Sequence, residues 1–431
     1  MSPAPAQGAL ITDPEYFGSL TAVRDLGRSG HSVDVVDVHR RLSRSAASRY
    51  CTRRLQAPAE PHTVAAIEWL RHVGRETPGR FLYPTSDDMA WRIAQSQDVL
   101  REHFLLYQPA ATATLGLLDK KQLYAFAERC GVLYPRTWAP GSQADVRDLA
   151  AALTREAAFP VIVKPRTQAG GPKAKGDVVE SPQDLMRAVD LFRRPGAYSE
   201  EFLRAAPDGI QWPLVQQFMP EASDNTYSVS GFIDRSGSVL TARASTKVFQ
   251  IPVRIGIGIA FEGRAVRRPQ IDAIESLARA SGYFGAFEVE FIHSSDGQLY
   301  LMDFNPRYYG QMNFEVSRGM RLPSIAYAAA VGDDKALQLL VTQSESSLRS
   351  SDATVERFCD QFMFRMLLRA QSLKGRLAPG AHRTWLQWME AGELSDFLTA
   401  DDDPAPAKVD QTTRRRHWLR HPLSTYRMLF R

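Results

Sequence analysis

Along the first hundred residues, short apolar runs alternate with stretches whose apolar positions recur every three to four residues. Residues 8–12 (GALIT) and 32–38 (SVDVVDV) read as buried strands, and residues 19–26 as a helix closed by Gly27. A second helical pattern covers residues 63–73, and another strand covers 80–84. Strand–helix–strand alternation of this length predicts a parallel sheet with helices on its faces. A dinucleotide site would place G-x-G-x-x-G after the first strand, and none stands there.

Further along, residues 117–129 have helical spacing up to Gly131, and residues 145–156 form another helical pattern. Residues 159–165 (FPVIVKP) read as a short buried strand leading into a loop at Gly170-Gly171. Ser181 followed by Pro182 is a helix start, with an N-cap serine and proline in the first turn. Residues 214–219 and 226–233 read as strands, and residues 271–280 as a helix ended by Gly282. Residues 285–293 and 298–305 then flank Ser294-Ser-Asp-Gly297, and Asp-Gly between strand-like runs is a hairpin signal. A helix-rich stretch follows, then a linker at 401–407 and a basic tail.

The turn fixes which side chains share a face. If residues 294–297 close the hairpin, His293 faces Gln298, Glu288 faces Asp303 and Glu290 faces Leu301. Alternation then puts Glu288, Glu290, Asp303 and Asn305 on one side. A two-residue slip would pair Glu290 with Asp303 and keep that face; a single bulge would break it. Opposed carboxylates are destabilising unless water or a cation intervenes. Two carboxylates and an amide suit Mg²⁺ bound jointly with phosphates, whereas a solvated polar face is the alternative. Arg307 adds a cation where an oxyanion could sit, and His293 reads as a strand-end residue.

Composition narrows the class. At 431 residues the chain exceeds one ordinary core, and its 44% hydrophobic and 23% charged content is that of a globular protein. A net charge of +5 with Lys and Arg spread along the chain gives no nucleic-acid footprint outside the tail. Cys51, Cys130 and Cys359 lack C-x-x-C spacing, which argues against a disulfide framework or thiolate zinc site. Neither a signal-peptide pattern nor an apolar run of about 18 residues is present, so a cytoplasmic protein is expected.

With these residues in view, VEF at 289–291 followed by MDFNPR at 302–307 resembles the metal-and-phosphate hairpin of ATP-grasp enzymes. LDK at 118–120 and VIVKP at 161–165 resemble that family's two ATP-lysine segments, and VQQFM at 215–219 resembles its adenine hinge. SRYC at 48–51 and PTSDD at 84–88 resemble the branch of D-aspartate ligase and the predicted carboxylate–amine ligases. In order, the elements span residues 110–335. The resemblance implies an α/β and α+β multidomain chain. Residues 1–109 would be a Rossmann-like pre-ATP-grasp domain and 110–335 the ATP-grasp domain, with a lid at about 140–220. Residues 336–431 would be a helical C-terminal extension ending in the basic tail.

The same resemblance implies site roles. Lys120 and Lys164 would contact the ATP phosphates, and Gly170 and Gly171 would belong to the loop covering them. Lys164 sits in an apolar run, where an unpaired ammonium is costly. Gln216, Gln217, Phe218 and Met219 would line the adenine site, with Glu221 or Asp224 on the ribose. Glu290, Asp303 and Asn305 would hold Mg²⁺ or Mn²⁺, and Arg307 together with Lys164 would act on the acyl phosphate. Lys247, Arg254 and Gly256 would meet the acceptor, and Tyr308, Tyr309 and Gly310 would shape its pocket. Asp303 replaces the more usual Glu, Gln216 replaces an acid, and the loop reads GGPKAKG at 170–176 rather than a serine-rich version.

The implied activity joins a small-molecule carboxylate to an amine through an acyl phosphate, releasing ADP and phosphate. The other readings are a non-amine acceptor, carboxylase-type chemistry on bicarbonate, or a nucleotide-binding regulator. The tail, residues 414–431, combines six arginines with Trp418, Tyr426 and Phe430. It suits docking on an anionic membrane or a partner protein, or else a helix packed on the core with its charges in water. Pro422 interrupts any single helix there.

Overall fold

The computed structural model describes residues 8–38, 41–58, 63–172, 175–223, 226–251, 256–351, 356–375 and 380–430. Three sheets organise these residues. The first contains β1 (Ala9–Ile11), β2 (Val33–Asp37), β3 (Arg53–Gln56), β4 (Arg80–Leu82) and β5 (Phe104–Leu105). Their spatial order is β3-β2-β1-β4-β5, and every neighbouring pair is parallel. Alternation along β1 places helices on both faces. Ala9 and Ile11 pack with Val23 and Leu26 of the helix Phe17–Arg28, while Leu10 packs with Ile67 and Leu70 of Val64–Glu76.

The second sheet holds β6 (Thr137–Trp138), β7 (Val161–Lys164), β8 (Asp177–Val179) and β9 (Leu214–Gln217) in the antiparallel order β6-β9-β7-β8. Val161, Val163 and Val215 bury one face against Val146 and Leu153 of Gln143–Arg155 and Leu185 of Pro182–Arg193. Ser181 caps that last helix through the Asp184 amide, as its sequence predicts. The third sheet holds β10 (Thr226–Ile233), β11 (Val239–Ile251), β12 (Ile257–Arg264), β13 (Gly285–His293), β14 (Leu299–Asn305), β15 (Arg357–Cys359) and β16 (Leu394–Asp396). The order is β14-β13-β10-β11-β12-β15-β16.

Four expectations change. The first helix continues through Gly27 to Arg28; Gly27 is a packing notch rather than a stop, since a Cβ there would stand 2.5 Å from Tyr50 Cβ. Residues 117–129 fall in two helices, Ala111–Leu118 and Lys120–Arg129, divided at Asp119, which caps the second and is ion-paired with Arg166. The stretch expected as a helical extension also carries β15, antiparallel to β12, and β16, parallel to β15.

The fourth correction concerns the supposed linker at 401–407. Its composition reads as a loop, yet Asp403 is 1% exposed. Its carboxylate accepts from Arg24 Nε at 2.9 Å, Ser48 Oγ at 2.7 Å and the Arg49 amide at 2.9 Å. Asp402 pairs with Arg28 at 2.6 Å and accepts from Tyr50 Oη at 2.7 Å. Asp403→Ala would strand the buried Arg24 guanidinium and is expected to cost about 3–5 kcal/mol in urea unfolding. Asp401→Ala serves as the control, and coincident midpoints for the two variants would refute the clamp.

The tail forms two helices, Ala405–Arg420 and Pro422–Phe430, divided at His421 as Pro422 predicts. One face of the first helix docks. Arg414 pairs with Asp360 at 2.6 Å, and Trp418 stacks on Phe362 with centroids 5.1 Å apart. Among the described residues no helix is long and apolar enough to cross a membrane. The three cysteines are free thiols.

Candidate active site

The β13–β14 hairpin builds the site, in a register the sequence only half predicts. Ser294 N donates to Gln298 O at 3.0 Å, so the loop takes in Gln298 and His293 pairs with Leu299. A bulge at Met302 adds a second residue of shift, and Tyr124 Oη donates to the bulged Met302 carbonyl at 3.0 Å. Two odd shifts make an even one. Glu290 therefore faces Asp303 and Glu288 faces Asn305, rather than Glu288–Asp303 and Glu290–Leu301, while the common polar face survives.

Each of the opposed carboxylates carries a lysine. Lys120 Nζ lies 2.6 Å from Asp303 Oδ1, and Lys247 Nζ lies 3.1 Å from Glu290 Oε1. Burial pushes both acids up, but the lysine charges outweigh it and both end below the usual carboxylate range. Glu288 has no such partner: burial and the charge of Glu290 push it up to about 7. It accepts from Asn305 Nδ2 at 3.1 Å and from Gln311 Nε2.

Lys164 answers the cost of an apolar strand in two ways. Its Nζ donates to Tyr124 Oη at 2.8 Å and to Gln216 Oε1 at 2.7 Å. Burial, with help from Lys120, lowers it to about 7, so the amine is readily neutral. Arg307 is held by Asp87 Oδ1 at 2.6 Å, the Tyr308 carbonyl at 2.9 Å and Asn305 Oδ1 at 3.0 Å. Burial opposes the Asp87 carboxylate on both partners, yet their mutual charge keeps the guanidinium raised and Asp87 lowered.

The charged groups of the hairpin line one cavity of about 280 Å³, with Tyr124 and Asp87 outside its lining. Lys120, Lys164, Lys247 and Arg307 reach it, together with Glu290, Asp303 and Asn305. Gln216, Gln217, Phe218, Met219 and Gly256 reach it as well, and Lys175 enters from the glycine-loop side. Gly170 and Gly171 do not line it. The Gly170 amide donates to Asp88 at 2.6 Å, and Cβ atoms at 170 and 171 would meet the rings of Phe202 at 2.2 Å and Tyr198 at 2.3 Å. Those glycines permit close aromatic packing. Glu221 also lies off the cavity, accepting from the Ser295 amide at 3.2 Å. Asp224 and Arg254 lie outside the described residues.

Three contributors escape the sequence reading. Tyr124 stands four residues after Lys120 on Lys120–Arg129, a same-face spacing that would have exposed it. Asp87 opens the helix Asp87–Arg101 after the Ser86 cap, in a segment read only for its resemblance. Gln311 has no signal of spacing or composition.

Among the described residues no group of three or more His, Cys, Asp and Glu side chains is arranged to hold a metal. The hairpin's donors are two carboxylates and an amide, all hard oxygens, and two ammonium groups already neutralise the carboxylates. That donor set fits Mg²⁺ or Mn²⁺ shared with phosphates.

No protein-family model matches the chain, and no curated protein matches it. Solved structures do. The biotin carboxylase domain of Hydrogenobacter thermophilus 2-oxoglutarate carboxylase, solved with MgADP, ADP and bicarbonate, superposes with a TM-score of 0.60 at 15% identity, over 76% of this chain and 70% of that one. L-amino acid ligase from Bacillus licheniformis gives 0.56 at 14% identity, over 77% and 79%. N5-carboxyaminoimidazole synthetase from Staphylococcus aureus gives 0.55 at 13% identity, over 76% and 78%. All three are ATP-grasp enzymes, and the chain has that fold.

Proposed function

We propose that the protein is an ATP-dependent ligase that joins a carboxylate to an amine through an acyl phosphate. One observation carries the reading: a single cavity joins the apolar Phe218–Met219 wall to Glu290 facing Asp303, with Lys120, Lys164, Lys247 and Arg307 around them. A carboxylate repels nucleophiles until one oxygen becomes a leaving group. Its oxygen attacks the γ-phosphorus of ATP, the bond to the β-phosphate oxygen breaks, and ADP leaves. The amine then attacks the carbonyl; a C–N bond forms, the C–O bond to phosphate breaks, and the amine's proton is lost.

The protein's share is position and charge. Glu290, Asp303 and Asn305 would hold Mg²⁺ or Mn²⁺, which supplies neutralisation of charge at the transferring phosphoryl group. Lys120, relieved of its carboxylate, and Lys164 are within the cavity to pair with phosphate oxygens. Arg307 is pre-oriented by three acceptors for the acyl phosphate. Gln216, Phe218 and Met219 take the adenine. Lys247 and Gly256, which line the cavity, would meet the acceptor.

ADP release over paired amino acids and other carboxylates tests this reading. Release that requires both a carboxylate and an amine supports it. Release with bicarbonate in place of the pair would favour carboxylation, and nucleotide binding without release would favour a regulator.

Lys164 gives an independent signature. Its value of about 7 lies below the ordinary 10.5, so the native state binds fewer protons than the unfolded chain between those limits. Stability contributed by this residue therefore rises as pH increases through that window. Phosphates beside it restore the charge. At pH 8, ATP binding is expected to take up close to one proton, read by calorimetry in buffers of different ionisation enthalpy. Lys164→Met should abolish the uptake, and uptake unchanged in that variant would rule out the assignment.

A separate reading concerns the tail, whose Leu419, Leu423 and Tyr426 are exposed beside Arg415, Arg416 and Arg420. If that face docks on an anionic membrane, full-length protein should float with anionic vesicles and Leu419→Ser/Leu423→Ser should not. Equal flotation would sink it.

A further inference from the structure

Beyond the charged hairpin, the cavity is walled by Phe17, Ile257, Ile259, Phe261 and Phe397. These residues come from the helix Phe17–Arg28, from β12 and from the position just after β16. The Phe17 and Phe397 rings stand 4.8 Å apart and those of Phe261 and Phe397 6.2 Å, so they form a continuous aromatic surface. The carboxy-terminal strands thus complete the cavity rather than merely follow it.

Phe261 and Phe397 are themselves core, 2% and 4% exposed, but two observations set the Ile257 and Gly310 edge of the wall apart from it. Ile257 lines the cavity yet is 68% exposed, the arrangement of a side chain that lacks a cover in the free protein. Gly310 also lines it, and a Cβ built there would meet nothing within 4 Å. That glycine leaves room which the fold itself does not use.

Charge complementarity points the same way. Asp360 lines this end, but its carboxylate is committed to Arg414 at 2.6 Å and to the Met363 amide at 3.1 Å. Arg44, whose guanidinium carbon lies 4.5 Å from the Phe17 ring centre, is committed to Glu15 at 3.2 Å and Asp410 at 3.1 Å. Lys247, beside Gly258 and paired across the strands with Phe261, is committed to Glu290 at 3.1 Å, so an acidic substrate side chain, of the kind a D-aspartate ligase handles, would have to displace one of these three pairs. An apolar one would cover Ile257 and the rings and displace only water.

We infer that one of the two ligated substrates is an amino acid with a large apolar side chain, aromatic or branched aliphatic, which stands on the Phe17–Phe397–Ile257 wall. The inference rests on the ligase reading, deepens it, and is tested so that the two can fail separately. The assay measures kcat/KM for ADP release with phenylalanine, leucine, serine and aspartate, each offered with every partner amino acid. Phenylalanine and leucine are expected to exceed serine and aspartate by at least about 10-fold, in line with what a buried apolar group contributes to discrimination.

Ile257→Asn alters an exposed position and should lower kcat/KM for the apolar substrates about 10-fold while the KM for ATP stays put. Gly310→Val, which fills the unused space, should shift the preference from phenylalanine toward smaller side chains. Equal rates across the four amino acids overturn the inference, as does an unchanged preference in both variants. If no pair releases ADP, the ligase reading falls, and calorimetric titration of the MgADP-bound protein with the same four amino acids decides the wall by itself. Tighter binding of phenylalanine and leucine upholds the wall as a site for an apolar amino acid; indistinguishable binding of all four, or of none, overturns it.

Discussion

Asp303→Asn is expected to lower kcat/KM for ADP release about 10³-fold, and Glu290→Gln by a similar factor, because each would take a hard anionic donor from the proposed metal site. The folded state should barely notice. Each substitution loosens one lysine, Lys120 or Lys247, but also relieves the repulsion between carboxylates paired directly across the two strands. These effects oppose each other, so the thermal midpoint should stay near that of the parent. The check is a pair of measurements on the same preparation, turnover and melting. Parent-like turnover in both variants would defeat the metal assignment, and a collapsed melting curve would reassign the pair to structure.

Arg307→Ala is expected to lower kcat about 10²- to 10³-fold, the range seen when one preorganised donor is removed from a developing oxyanion. Arg307→Lys should recover little, since an ammonium cannot meet Asp87, the Tyr308 carbonyl and Asn305 in one plane. Asp87 acts through the arginine. Asp87→Asn should cost roughly 10- to 100-fold, with the loss confined to kcat. The combined Asp87→Asn/Arg307→Ala variant should be no worse than Arg307→Ala alone. Additive losses would give Asp87 a role of its own.

Much of this arrangement is legible in the amino-acid sequence. The polar face of the hairpin survived two register errors because strand alternation tolerates any even total of shifts. Lys164, the hinge and Arg307 sit on or beside short apolar strands, and Lys120 opens a helix, each with a pattern that is local. What escaped was non-local. Asp87 is recognisable only once Arg307 is brought to it, and the acidic run at 401–403 looked like a linker because composition ignores partners far along the chain. Gly170 and Gly171 carry the signature of a phosphate loop for a different reason: aromatic rings lie where their side chains would be. β15 and β16, only three residues each, are too short to outvote the helices around them.

The Asp402–Asp403 contacts also bear on the order of assembly. The arginines of the first helix cannot meet these carboxylates during synthesis until residues 402 and 403 have left the ribosome. A nascent chain therefore holds Arg24 and Arg28 in water, with the Phe17 ring still lacking Phe397. Closure by partners so far apart in sequence is a late and slow event. The aromatic end of the cavity should consequently be the last part of the molecule to become competent on refolding, after the hairpin has already formed.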